Sequence, residues 1–109
     1  MAAGDIKHGP YGSCGEVVGT GALLNVSLGY APLTVKIVNR TQLANADWHQ
    51  GMPQDSMSLV DDSGAGTTDI TFVTSNAITT GSSGFALGTN ATLNTAADVI
   101  YWEATRSFR

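Results

Sequence analysis

The sequence predicts an all-β domain: a small antiparallel sandwich or barrel of jelly-roll type, entered through a Gly-rich N-terminal arm. Three observations lead there. Gly, Ser, Thr and Asn make up 41 of the 109 residues, and these residues serve turns and pleated polar faces better than helices. No window carries a sustained apolar stripe at i, i+3, i+4 and i+7. Short apolar or alternating segments recur instead, with turn signals about every eight to twelve residues, the rhythm of a sandwich or barrel. A chain of this length forms one domain that buries about 60–70% of its unfolded surface.

Taken in order, residues 1–21 read as an extended arm. They hold six glycines, with only Val17 and Val18 as a short strand, and so much Gly is costly to order. Residues 22–109 read as the β domain. Leu23 to Leu28 alternates and predicts a strand, Gly29-Tyr30-Ala31-Pro32 a turn, and Leu33 to Asn39 a second strand, so the pair reads as a hairpin. Thr41 to Ser56 shows no period and reads as a long loop, with one helical turn near Gln42–Trp48. A loop of that length in a small domain points to a contact role. Met57 to Val60 is a strand, Asp61 to Gly66 a turn, and Asp69 to Ser75 a strand with Ile70 and Phe72 inward. Ile78 to Thr80 and Phe85 to Leu87 flank a Gly81–Gly84 turn, and a loop through Asn94 leads to Val99–Ala104. Val99-Ile100-Tyr101-Trp102 is apolar on both faces. That suits a central strand or one whose outer face meets a partner.

Charged residues are only 13% of the chain, against a usual share of about 25%. Sparse charge leaves little repulsion between copies, and β edges must be paired or blunted. Trp48, Met52, Met57, Trp102 and Phe108 are many large apolar groups for one small core, so part of the surface is expected to be covered in an assembly. The net charge is −4, and Lys7, Lys36, Arg40, Arg106 and Arg109 form no stripe. A nucleic-acid partner is therefore not expected. The longest apolar runs are four or five residues, too short for a membrane-spanning helix, so no membrane partner is expected. No basic segment followed by an apolar one marks a secretory signal, which predicts synthesis in the cytoplasm.

Residues that suggest chemistry all have plainer readings. His8, Cys14 and His49 offer a thiol and two bases, but a nucleophile needs a base within reach and a third group to orient it. No family signature surrounds Cys14, and as the lone cysteine it forms no intrachain disulfide. Asp61, Asp62 and Asp69 lack the oxygen spacing of a calcium loop and read as a solvated turn. Pairing these acids with Glu103 as a glycosidase dyad rests on composition alone. Gly19-Thr20-Gly21 lacks the third Gly and the Lys of a phosphate loop. Asn25, Asn39 and Asn90 begin glycosylation sequons by chance in an Asn/Thr-rich chain. Trp48, Tyr101 and Trp102 form a candidate sugar-stacking platform. Aromatic side chains at protein–protein contacts are the commoner use. No enzyme, cofactor or metal is expected.

The segment GFALGTNATLNTAADVIYWEA, Gly84 to Ala104, resembles a C-terminal pattern of small bacteriophage structural proteins, in which G-F-x-L/V-G-x-x-A-x-x-N precedes an aromatic last strand. The opening MAAGDIKHGPYG is similar to the start of such virion proteins. The resemblance covers about a third of the chain. It implies a capsid decoration, or cement, protein on the outer surface of the virion. Such a protein binds the major capsid protein and self-associates as a homotrimer. Its mechanism is passive: buried area, β-augmentation through an arm or edge, and many copies acting together. The alternative is a tail or spike module that binds a host glycan. The residues expected at the interface are Ile6, Tyr11, Val17, Val18, Trp48, Met52, Trp102 and Phe108.

Overall fold

The computed structural model describes residues 6–62, 68–90 and 92–106. Every regular element among them is a strand: β1 Lys7–His8, β2 Gly12–Val18, β3 Leu24–Ser27, β4 Pro32–Asn39, β5 Ala44–His49, β6 Ser56–Asp62, β7 Thr68–Gly81, β8 Gly84–Leu87 and β9 Val99–Arg106. All neighbours pair antiparallel in one sheet of order β1-β2-β9-β4-β5-β6-β7-β8-β3. The all-β expectation holds, and the architecture is a single curled sheet, a half-barrel.

Period-two alternation explains the curl. One face of most strands is apolar: Val35 and Ile37 in β4, Ala44, Ala46 and Trp48 in β5, Met57 and Leu59 in β6, Phe85 and Leu87 in β8, Ile100, Trp102 and Ala104 in β9. A sheet that buries one face must wrap it against itself or a second layer, and right-handed twist accumulates over many strands. Here the ends fold toward each other. Phe85 and Trp102 belong to the eighth and third strands in sheet order, yet their rings meet edge to face with centroids 5.5 Å apart.

Two buried asparagines fasten the irregular connections. Asn94 accepts from the Thr20 and Gly21 amides and donates to the Ala22 and Gly88 carbonyls, at 3.0, 3.4, 2.6 and 2.9 Å. Asn39 donates to the Leu93 carbonyl and to Asp98 Oδ2, and accepts from the Thr41 and Gln42 amides. The loop between β8 and β9 thereby holds Leu93 fully buried, as a plug at one end of the core.

Several expectations are corrected. Part of the expected 1–21 arm lies in the sheet: β2 pairs with β9 along its whole length, from Gly12↔Thr105 to Val18↔Val99, while residues 1–5 lie outside the described residues. Glycine masked this strand, because Gly12 and Gly15 supply no side chain to register the alternation of buried Ser13 and Val17. The 23–39 segment is not a hairpin: among the described residues β3 pairs with β8 alone, and β4 lies between β9 and β5. The expected loop over 41–56 contains β5, a strand in the middle of the sheet. Its alternation of Ala44, Ala46 and Trp48 with Asn45, Asp47 and His49 was hidden by alanine's poor strand propensity. The two strands expected over 69–80 are one strand, β7. Its register jumps from Met57↔Val73 to Ser56↔Ile78, which leaves residues 74–77 as a wide irregularity. The 81–84 turn stands as expected, closing β7 onto β8. Of the Asp61–Gly66 turn, residues 63–66 lie outside the described residues.

The β3–β8 pairing depends on close backbone approach. A Cβ on Gly84 would collide with the Val26 carbonyl oxygen and crowd the Leu28 amide, which are backbone atoms and cannot swing aside. Gly84→Ala should therefore detach β3 locally and lower stability by about 1–3 kcal/mol, as in overpacked cores. Chemical denaturation measures this, with faster amide exchange over 24–27. Wild-type stability in the variant would mean that β3 is not held at that distance.

Candidate interaction surface

The convex face of the sheet carries the side chains left by the buried alternation, and the registers align them in two rows. One row runs Glu16–Tyr101–Val38–Asn45–Val60–Ile70, each residue opposite the next on the neighbouring strand. The other runs Lys7–Cys14–Glu103–Lys36–Asp47–Ser58–Phe72. The first is mostly apolar and the second mostly charged. Lys36 lies directly between Glu103 and Asp47, an arrangement of opposite charges that supports strand pairing. Over β2, β9 and β4 the two rows line a shallow groove of about 550 Å³, edged by Lys7 of β1.

At the other end of this face the surface turns apolar. Ile70 is 76% exposed and Phe72 53% exposed. They stand opposite Val60 and Ser58. This corrects their expected inward orientation: the inward residue of β6 at this register is Leu59, opposite Thr71, so the phase of β7 is the reverse of that expected. Leu43, in the turn between β4 and β5, has φ 55° and is 61% exposed.

The expected interface residues separate into several groups. Val17, Trp48 and Trp102 belong to the buried core and are not surface anchors. Trp48 also donates its indole N–H to the Pro53 carbonyl. Ile6 and Met52 are half-buried against the core, Val18 is half-buried at the end of β2, and Tyr11 is largely exposed. Phe108 lies outside the described residues. The sugar platform is dismantled by the same burial: of Trp48, Tyr101 and Trp102, only Tyr101 faces outward. The surface residues that the sequence reading missed are Val38, Ile70 and Phe72. The phase of each strand relative to its neighbours reveals them, and that phase requires the register.

The groups that suggested chemistry are dispersed. Cys14 is exposed on the convex face of β2. His8 is opposite Ser13, and its Nδ1 lies 2.7 Å from the Ser13 hydroxyl, to which the Tyr30 hydroxyl also donates. His49 is on β5, with β9 and β4 between it and β2, and its Nδ1 accepts the Gly51 amide. The His8–Ser13–Tyr30 contacts link β1, β2 and the connection before β4, where the Arg106 guanidinium covers the Tyr30 ring at 4.6 Å. The chain matches no known protein family, no curated protein and no solved structure.

Proposed function

We propose that this chain is a structural virion protein that decorates and stabilises a bacteriophage capsid by binding the major capsid protein, without covalent chemistry. The observation that supports the reading most is the apolar end of the convex face. Ile70 and Phe72 stand largely in solvent beside Val60, and elsewhere, in the β4–β5 turn, the mostly exposed Leu43 holds a left-handed backbone conformation that costs free energy. Left-handed strain in a bulky residue points to a functional contact, and a contiguous exposed apolar patch marks an interaction site. Docking of this patch onto the shell would cover it, and three copies about a local three-fold axis is the arrangement we propose there.

Two experiments test this. Quantitative mass spectrometry of purified phage particles should find the chain in hundreds of copies. A handful of copies would favour a tail module, and absence from the particle would overturn the proposal. Phe72→Asp and Ile70→Asp should leave thermal stability within about 0.5 kcal/mol, as exposed substitutions do, while particle binding falls at least tenfold. Binding unchanged by both variants would exclude this patch as the docking surface.

A further inference from the structure

The groove at the other end of the convex face is complementary to itself. Its centre is a two-by-two block: Glu103 and Tyr101 on β9, opposite Lys36 and Val38 on β4. All four are exposed, and each column pairs unlike partners of matching character, acid with base and aromatic with aliphatic. A two-fold axis parallel to the strands, placed between β9 and β4, brings β9 of one copy over β4 of the other. It sets each Glu103 against a Lys36 and each Tyr101 against a Val38, both contacts occurring twice. The closed symmetry required of a self-complementary patch is thereby met. The strands of the two sheets stay aligned, the geometry in which sheet faces stack. An axis perpendicular to the strands would set Glu103 against Tyr101 and lose the match.

We infer that two copies of this chain pair face to face through the β9–β4 groove, with reciprocal Lys36–Glu103 ion pairs flanking Tyr101–Val38 contacts. The groove holds both signs of charge, Lys7 and Lys36 against Glu16 and Glu103, so a second copy meets no net repulsion there. A strongly acidic or basic partner would leave half of these charges opposed. This pairing concerns the free protein and uses a different part of the face from the capsid-docking patch. Its failure leaves the capsid proposal standing, and the converse also holds.

The test is light scattering coupled to size exclusion on the purified full chain. Wild type should form a dimer whose association weakens as salt rises, because partly exposed ion pairs are screened. Lys36→Glu and Glu103→Lys should each weaken self-association by about a hundredfold or more, since every reversal appears twice in a two-fold contact and like charges across an interface are strongly unfavourable. Lys36 and Glu103 are also neighbours within one copy, so restoration in a doubly reversed chain would be ambiguous. Mixing the two single variants is not. At positions 36 and 103 one face then carries two acids and the other two bases, and an equimolar mixture should recover the dimer. Circular dichroism on each variant confirms the fold. A monomeric wild type, single variants that dimerise like wild type, or a mixture that stays monomeric would each overturn the inference. A wild-type dimer that tightens with salt would do so without any substitution.

Discussion

Trp102→Ala should be among the most destabilising single changes in this protein. Trp102 is 4% exposed, and its ring meets Phe85 across the curl of the sheet. Truncation removes the contact that joins the third strand to the eighth and leaves a void the backbone cannot collapse into. Buried aromatic truncations cost about 3–5 kcal/mol, from a total of about 5–15 kcal/mol for a small domain. A midpoint shift of about 15 °C or more follows from the size of the domain. Trp102→Phe separates packing from polarity. The indole N–H is buried with no hydrogen-bond partner among the described residues, so phenylalanine keeps a ring against Phe85 and removes an unsatisfied donor. Thermal and urea unfolding should then rank wild type and Trp102→Phe close together and Trp102→Ala far below. An alanine variant that melts like wild type would mean that the two ends of the sheet do not depend on this contact.

Asn94→Ala should rival it, for a different reason. Asn94 is fully buried and uses both side-chain heteroatoms to join the β2–β3 connection to the loop after β8. Alanine leaves the Ala22 and Gly88 carbonyls and the Thr20 amide without this partner. Each buried orphan costs about 1–3 kcal/mol, so a loss of about 3 kcal/mol or more is expected, with faster exchange at the Thr20 and Gly21 amides. Asn94→Asp adds a pH signature. Two donors become acceptors facing two carbonyls, and burial among them raises the carboxyl pKa above its unfolded value. Stability of that variant is therefore present at low pH and is lost as pH rises through the folded-state pKa. A pH-independent Asn94→Asp variant would show that the site is open to water.

What the sequence determined is the class of structure and most of its strands. Alternation in Leu23–Leu28 and Leu33–Asn39, the apolar run that opens Val99–Ala104, and the Gly81–Gly84 turn are local signals, because a pleated strand repeats every two residues and a tight turn names its own residues. Local signals failed where side chains were small. Gly12 to Val18 and Ala44 to His49 are strands in the sheet, but glycine and alanine give the alternation little contrast. Tertiary structure alone decided which strands pair, and so which residues share a face. β3 passes over its sequence neighbour to pair with β8, and β4 takes β9, more than fifty residues on. Those choices sent Trp48 and Trp102 into the core and turned Ile70 and Phe72 out to solvent. The physical reason is that one residue of register reverses every side chain in a strand. Phase is fixed only when the whole sheet curls around one apolar face, and the surface this protein offers to partners is the remainder of that choice.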